Sequence, residues 1–168
     1  MVPRIASSRR AMLRLIGLAL TVGLAGCGFQ LRGQAQLPFS AAYVDARANS
    51  LLAEPLRHAL ASQHKLAEKA EGAPVRITLA EEGRSKAILS LSGGGKVKEY
   101  RITYKLKLLV ADGGGKELIA PSEILLTRDF TYSDAEILAK EAEEANLNQA
   151  MEREALRQVL RRLSYVQR

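Results

Sequence analysis

The sequence predicts an α+β fold class, with two helices packed on one face of a small mixed, mostly antiparallel four-stranded sheet in the order β-α-β-β-β-α. Three observations lead to this prediction. Apolar and polar residues alternate along residues 98–110, glycine triplets at 93–95 and 113–115 separate strand-like segments, and helical spacing of apolar residues occurs on both sides of them. Two helices laid on one sheet face bury these apolar surfaces in one core. The length of 168 residues and the 47% of hydrophobic residues suit one globular domain.

The first 26 residues have the pattern of a bacterial lipoprotein signal peptide. Residues 1–14 contain four Arg and no acid, and an apolar run of 11 residues follows at 15–25. Small residues then precede Cys27, as in the lipobox of bacterial lipoproteins. We therefore expect cleavage between Gly26 and Cys27 and lipidation of the Cys27 thiol. Three acyl chains on Cys27, palmitate among them, would anchor the protein stably, since a single chain binds only marginally.

The residues around the cleavage site also bear on export and sorting. The Arg9-Arg10 pair resembles a twin-arginine motif, so that route stays open beside general secretion, which we favour. Gly28 stands after Cys27 where an Asp would favour retention in the inner membrane, so we expect sorting to the outer membrane.

The organisation of the mature chain follows from the removal of residues 1–26, which carry four Arg and no acid. Their loss lowers the formal net charge from +7 to +3, which weakens the case for a nucleic-acid partner.

Residues 27–40 are predicted to be a lipidated tether and residues 41–168 a single domain. One Cys and two His exclude both a disulfide framework and a Cys/His zinc cluster.

A strand and a helix open the predicted domain. The strand is expected over residues 41–45, and Asn49 or Ser50 can cap the helix that follows. Pro55 fits only the first turn of a helix, so the helix is expected to start close to it and to end by residues 71–74. The apolar face of this helix consists of Leu52, Leu56, Ala59 and Leu60.

Residues 75–91 predict a long strand with a bulge in its middle. Val75, Ile77 and Leu79 alternate with polar residues, and the Glu-Glu-Gly sequence at 81–83 interrupts the alternation. The odd-numbered register then resumes, so one apolar face is expected on both sides of the bulge. Its later members are Ala87, Leu89 and Leu91.

The clearest strand lies between the two glycine triplets. One face is apolar and follows Lys98 in the same register: Tyr100, Ile102, Tyr104, Leu106, Leu108 and Val110. The other face is polar and mostly basic: Glu99, Arg101, Thr103, Lys105 and Lys107. This alternation predicts a sheet with one buried face and one solvated, basic face.

A fourth strand and a long helix complete the domain. The strand is predicted over residues 124–132, and Arg128 interrupts its apolar face. That face consists of Ile124, Leu126, Phe130 and Tyr132. Ser133 and Glu136 have the spacing of a capping box, which predicts the start of a helix running to about residue 163. Apolar residues then recur along one face of the helix: Leu147, Met151, Ala155, Val159 and Leu163.

No arrangement of residues in the sequence predicts catalysis. His58 and His64 are six positions apart, so a helix would point them away from each other rather than toward one metal ion. The glycine triplets lie between strands and do not fit the phosphate-binding loop G-x-x-x-x-G-K-[ST]. No Ser has the G-x-S-x-G setting of a hydrolase nucleophile. We therefore expect a protein that is not an enzyme, without metal and without cofactor, and keep a periplasmic enzyme as the least favoured alternative.

A basic segment is the one candidate binding feature. Residues 84–107 hold seven Lys or Arg and one acid, Glu99. A solvated sheet face that resists edge-to-edge aggregation explains this pattern. A site for an anionic amphiphile explains it equally well, because Lys and Arg make charge-assisted hydrogen bonds to phosphates. Beside a lipid anchor, a phosphorylated lipid is a better candidate than a nucleic acid.

Three segments together resemble the LPS-assembly lipoprotein family LptE. The first is Cys-Gly-Phe-Gln-Leu-Arg-Gly at 27–33, directly after the lipobox. The second is GKVKEYRITYKLKLLV at 95–110, which resembles the central strand of the family. The third comprises Arg-Asp-Phe-Thr-Tyr at 128–132 and Ile-Leu-Ala-Lys-Glu at 137–141, which resemble the turn into the final helix.

The resemblance implies a fold of two helices on a four-stranded sheet and a place on the periplasmic side of the cell outer membrane. It implies a partner, the β-barrel LptD, in which the family member sits as a plug, and a role in lipopolysaccharide transport without catalysis. Lys140 matches a basic position of the family implicated in binding lipopolysaccharide, whereas a second basic position is Gly93 here. The candidate lipopolysaccharide-binding residues are Lys140, Lys96, Lys98, Arg101, Lys105 and Lys107. The alternative is a free-standing lipoprotein that binds or carries anionic lipid.

Overall fold

A computed structural model describes residues 37–166 and confirms the predicted fold class. The elements are β1 (Ala42–Ala46), α1 (Ala53–Ala61), β2 (Val75–Leu91), β3 (Val97–Asp112), β4 (Glu117–Thr131), a short 3₁₀ helix (Asp134–Glu136) and α2 (Ile137–Leu163). The four strands form one sheet in the order β1-β2-β3-β4. β1 pairs with β2 in parallel, and the other two pairings are antiparallel. The predicted signal peptide (1–26), the lipidation site Cys27 and most of the tether lie outside the described residues.

The core lies between the sheet and the two helices. The even-numbered face of β3 is buried from Ile102 to Val110, as its alternation predicts. α1 buries Leu56 and Leu60, and α2 buries four residues at helical spacing: Met151, Ala155, Val159 and Leu163. Apolar side chains that alternate or recur every turn therefore identified most of the core.

β2 departs from the predicted register at its bulge. The pairing with β3 shifts between Ala80 and Gly83, so the bulge at the predicted site is confirmed. Its effect on the register is not the predicted one: Arg84 now stands opposite Tyr104 and Lys86 opposite Ile102. Because opposite residues of an antiparallel pair share a face, the even-numbered residues of β2 face the helices from Arg84 to Ile88, beyond which the register shifts again. The expectation for the later apolar residues was therefore wrong, and all three are exposed on the other face or at its edge: Ala87, Leu89 and Leu91.

α1 ends earlier than predicted, at Ala61 rather than near residue 71. The chain reverses through His64, whose φ is 56°, and residues 65–67 then run beside β1. The amide of Ala42 donates to the carbonyl of Lys65 at 2.8 Å, and the amide of Ala67 donates to the carbonyl of Ala42 at 2.9 Å. Extended pairing with β1 thus replaces the last predicted helical turns.

The fourth strand and the start of the last helix also differ from their predictions. β4 begins at Glu117 instead of residue 124, and it tolerates Pro121 because it is an edge strand. Ser133 makes no side-chain capping bond, so the predicted capping box is wrong. A 3₁₀ turn leads into the helix instead, with the amide of Glu136 donating to the carbonyl of Ser133 at 3.1 Å.

α2 crosses the sheet above β3, with β2 on one flank and β4 on the other. Glu144 and Glu152 contact β2, whereas Glu154 and Arg162 contact β4. The four residues buried by α2 all lie from Met151 onward, so none of its residues 137–150 is buried. Among the described residues, no helix has the length and hydropathy to cross a membrane.

Candidate functional site

Three of the predicted lysines meet at one end of the sheet. We call it the distal end: the β2–β3 turn (residues 92–96) and the chain after β4 (residues 131–134). The Lys96 ammonium lies 3.7 Å from the Asp134 carboxylate. The amide of Tyr132 donates to the carbonyl of Lys98 at 2.9 Å.

Lys140 belongs to the same end but is far more enclosed. Its ammonium donates to the Thr131 hydroxyl at 3.1 Å and to the Glu143 carboxylate at 2.8 Å. Its side chain is only 15% exposed, whereas that of Lys96 is 78% exposed. Among residues 37–166, Lys98 has no ion-pair partner and is exposed. The structure therefore groups Lys96, Lys98 and Lys140 around the end of β4.

The other three predicted residues lie on the opposite face of the sheet, which neither helix covers. The Arg101 guanidinium donates two hydrogen bonds to the Asp129 carboxylate, each 2.8 Å long. Lys107 and Lys105 both approach Glu81, at 3.1 and 3.6 Å. No described hydrogen bond or ion pair joins these three residues to the distal lysines, so the six predicted residues fall into two groups.

Ion pairing changes the electrostatics of that open face. The hydrogen bond and charge of Arg101 hold the pKa of the Asp129 carboxyl below its ordinary value. Lys107, and to a lesser extent Lys105, do the same to the pKa of Glu81. Every basic residue of β3 on this face has an acidic neighbour from β2 or β4, which the alternation within β3 could not reveal. The face is a set of cross-strand charge pairs rather than a purely basic surface.

Aromatic side chains form the floor of the distal end on the side of the helices. The rings of Tyr100 and Phe130 have centroids 5.9 Å apart, and Tyr132 meets Tyr100 edge-on at 5.2 Å. The Lys86 ammonium lies 4.2 Å from the Tyr100 centroid and 5.5 Å from that of Phe130. These distances are in the range of cation–π contacts.

Lys86 is the residue of this site that sequence reasoning missed. On an uninterrupted odd-numbered register Lys86 would face away from the helices, and only the bulge at 81–83 brings it under α2. The Glu-Glu-Gly sequence was the available signal, because a bulge of one residue inverts the side chains that follow it up to the next shift in register.

Ion pairs between the sheet and α2 close the site from above. From β2, Lys86 pairs with Glu144 of α2 at 2.5 Å, and Arg84 pairs with Glu152 of α2 at 3.1 Å. On the other flank Arg128 pairs with Glu154 at 2.5 Å, which explains why an arginine interrupts the apolar face of β4. All of these pairs are partly exposed, with side-chain exposures between 26% and 41%. Charged side chains thus occupy the positions above the distal sheet where a core would require apolar ones.

The described part of the chain offers little else for chemistry. No group of three or more His, Cys, Asp or Glu within residues 37–166 could hold a metal ion. An apolar pocket of about 250 Å³ lies at the other end of the sheet. Its lining includes Pro38, Phe39, Pro74, Leu118 and Val166.

Comparison with known proteins gives consistent results. Residues 35–163 match the model of the family LptE, described as lipopolysaccharide-assembly. The chain is 30% identical over 169 residues to the LPS-assembly lipoprotein LptE of Yersinia enterocolitica, covering 94% of this chain and 77% of that one. It is 29% identical over 162 residues to the protein of the same name from Photorhabdus laumondii, covering 92% and 85% of the two chains.

A solved structure extends the similarity to three dimensions. An uncharacterized lipoprotein B from Nitrosomonas europaea superposes with a TM-score of 0.70 at 38% identity, covering 82% of this chain and 90% of that one. The family match spans the strands, both helices and the three distal lysines described above. The chain belongs to the LptE family of lipopolysaccharide-assembly lipoproteins.

Proposed function

We propose that this protein is an outer-membrane lipoprotein that takes part in lipopolysaccharide assembly, and that its distal end binds lipopolysaccharide. Family membership supports the role in assembly. The observation that carries the binding site is the convergence of Lys96, Lys98 and Lys140 beside the aromatic rings of Tyr100 and Phe130.

The chemistry of the distal end suits a phosphorylated lipid. Ammonium groups bind phosphate oxygens through short charge-assisted hydrogen bonds. Lys98 has no acidic partner within residues 37–166, and Lys96 has only a long contact to Asp134 at 3.7 Å. Both cations can turn to an incoming anion at little cost, since exposed pairs contribute only about 0–1 kcal/mol. The partly exposed rings of Tyr100 and Tyr132 suit contact with acyl chains.

The open face of the sheet suits a protein partner. We infer that this partner is the β-barrel LptD, and that the protein sits within it as a plug without catalysing a reaction. Leu125 is 58% exposed between the charge pairs of this face, a combination of apolar and paired polar groups that is common at protein interfaces. Arg101, Lys105 and Lys107 would then contact the barrel and its lipid cargo, while a lipidated Cys27 holds the complex on the periplasmic side of the membrane.

The partner is tested by isolating the tagged, lipidated protein from outer membranes in mild detergent and identifying what accompanies it by mass spectrometry. A large β-barrel in equal amount is expected. The same preparation reports cleavage and lipidation, because the mature N-terminal peptide would begin at an acylated Cys27. Recovery of the protein alone, or with lipid only, contradicts the plug hypothesis and favours the free-standing lipid carrier.

The lipopolysaccharide site is tested separately with purified protein. We expect the combined Lys96→Gln and Lys98→Gln variant to weaken binding of labelled lipopolysaccharide, and binding by the native protein to fall as salt rises. The combined Lys69→Gln and Lys116→Gln variant is the matched control, because it removes two charges as well and both lysines are exposed and lie outside the distal end. Equal loss in the two proteins would show that only net charge matters and would refute a distal site.

A free-standing carrier would have to enclose acyl chains. The apolar pocket beside Phe39 has about 250 Å³, below the range of about 300–1,000 Å³ that is usual for small-molecule sites. The core between sheet and helices is filled by residues that are 0–6% exposed. These observations favour contact with lipid at the surface of the distal end.

A further inference from the structure

We propose that Lys86 is a phosphate-binding residue of the distal site, and that Glu144 occupies it in the absence of ligand. The proposal deepens the function proposed above and rests on it. It names a residue outside the predicted basic set, together with the internal group that competes with the lipid.

The surroundings of Lys86 hold an ammonium in a fixed place. Its Nζ atom lies over the ring of Tyr100 at 4.2 Å and near that of Phe130 at 5.5 Å. The Glu144 carboxylate receives a hydrogen bond from it at 2.5 Å. Aromatic faces can steady a cation but cannot neutralise it, so Glu144 is the only anion that the described residues place on it.

The carboxylate is accessible to exchange. The side chains of Lys86 and Glu144 are 37% and 27% exposed, so solvent and added anions reach both. A phosphate group carries up to two negative charges and three acceptor oxygens, against one charge and two oxygens for a carboxylate. A lipid phosphate can therefore replace Glu144 on the same ammonium while acyl chains contact the partly exposed ring of Tyr100 beside it.

Replacement of Glu144 would also loosen the first half of α2. None of residues 137–150 is buried, and Leu147 is only partly buried against the core. Lys86 makes the ion pair that joins this half of the helix to β2, whereas Arg84 and Arg128 join the second half. Segments with few buried contacts open at low free-energy cost. Ligand binding at Lys86 is thus coupled to opening of α2 above the aromatic rings.

The other ion pairs of α2 do not share these properties. Arg128 and Glu154 are partly exposed, at 41% and 31%, but neither has an aromatic ring within cation–π distance in the described structure. Glu154, the member of this pair that belongs to α2, also lies beyond Met151, where the helix is packed on the core. Arg128–Glu154 therefore serves as a structural ion pair and provides a matched control.

The experiment compares Glu144→Gln, Lys86→Gln and the control Glu154→Gln in the mature protein. Binding of labelled lipopolysaccharide and amide hydrogen exchange of residues 137–150 are measured for each. Glu144→Gln is expected to bind about two- to fivefold more tightly than the native protein, as loss of an exposed ion pair allows. It is also expected to exchange faster in residues 137–150. Lys86→Gln should bind more weakly, and Glu154→Gln should bind like the native protein.

A second ligand separates phosphate recognition from general affinity for lipid. With dephosphorylated lipopolysaccharide, the advantage of Glu144→Gln should disappear. Equal affinity of Glu144→Gln and native protein for the phosphorylated ligand would overturn the inference, as would weaker binding by Glu144→Gln. Failure of the native protein to bind lipopolysaccharide at all would instead contradict the proposed function, so the two failures are distinguishable.

Discussion

Glu82 joins three parts of the fold, and its removal is the most informative perturbation of stability. It lies in the bulge of β2, where it points toward the helices. Its carboxylate accepts hydrogen bonds from the Tyr104 hydroxyl at 2.5 Å, from the Leu52 amide at 3.0 Å and from the Ser50 hydroxyl. The Ser50 oxygen in turn accepts from the amide of Ala53, the first residue of α1, at 3.1 Å, although the N-cap residue of α1 is Leu52 and not the predicted Asn49 or Ser50.

The expected cost of Glu82→Ala follows from the groups left without a partner. Tyr104 is fully buried, so its hydroxyl would lose its only described acceptor in an enclosed place. A buried polar group left unsatisfied costs about 1–3 kcal/mol, and loss of the hydrogen bond that the Leu52 amide donates to Glu82 costs about 1 kcal/mol. We therefore expect Glu82→Ala to lower the free energy of unfolding by about 2–4 kcal/mol. Tyr104→Phe removes one bond without stranding the other donors and should cost about 1–2 kcal/mol.

The assay is urea unfolding of the single variants and of the double variant. In the Tyr104→Phe background, Glu82→Ala leaves no buried hydroxyl without an acceptor. The double variant should therefore lose less unfolding free energy than the two single variants together, by about 1 kcal/mol or more. A cost of Glu82→Ala below about 1 kcal/mol, or additive effects, would refute the assignment of Glu82 as the acceptor that holds Tyr104 and α1 together.

The remaining predictions concern pH and packing. Burial, then the hydrogen bond and charge of Glu82, raise the pKa of Tyr104 well above its ordinary value of 10.0. The unfolded chain therefore releases this proton first, and stability should fall by at most about 1.4 kcal/mol per pH unit above pH 10, with a smaller slope in Tyr104→Phe. The lowered pKa of Asp129 makes stability depend on pH in the opposite direction. The stability that comes from its pairing with Arg101 is present above the ordinary pKa of an Asp and is lost as the pH falls. Acid titrations of Asp129→Asn should accordingly show a weaker loss of stability than those of the native protein. Met151→Ala should cost about 2–5 kcal/mol in urea unfolding because it leaves a cavity, whereas Leu138→Ala, at a position 81% exposed, should stay within about 0.5 kcal/mol.

The sequence predicted correctly those elements whose apolar residues keep one period and whose buried face stays the same along the whole segment. β3 lies between two strands and under α2, so its alternation persists for the whole strand and marks the buried face directly. The second half of α2 packs on that face, and its apolar residues recur at the spacing of the helix. Local pattern and tertiary environment agree in both elements.

The predictions failed where a tertiary contact decided the outcome. Residues 65–67 are not helical because they form backbone hydrogen bonds with β1 instead. The local sequence contains no pattern that predicts this pairing. The first part of β4 has no alternation and contains Pro121, yet it pairs with β3 as an edge strand. The candidate site shows the same limit, since the grouping of Lys96, Lys98 and Lys140 depends on where β4 ends and α2 begins.

The bulge of β2 accounts for the division of the molecule into an apolar half and a charged half. Before it, Val75, Ile77 and Leu79 supply buried side chains to the core. After it, the register places Arg84 and Lys86 under α2. Without the extra residue, the face under α2 would receive the apolar residues of the odd-numbered register, and the helix would rest on an ordinary core.

The same bulge also ties the two faces of the sheet together. Glu81, with a φ of 50°, pairs with Lys105 and Lys107 on the open face, while its neighbour Glu82 holds Tyr104 on the other. A non-glycine residue in this left-handed conformation is strained and persists only when its surroundings fix it. The contacts of the two glutamates provide that fixation. The sequence Glu-Glu-Gly therefore sets the register that places charged side chains under α2, where Lys86 pairs with Glu144 in the first half of the helix and Arg84 with Glu152 in the second.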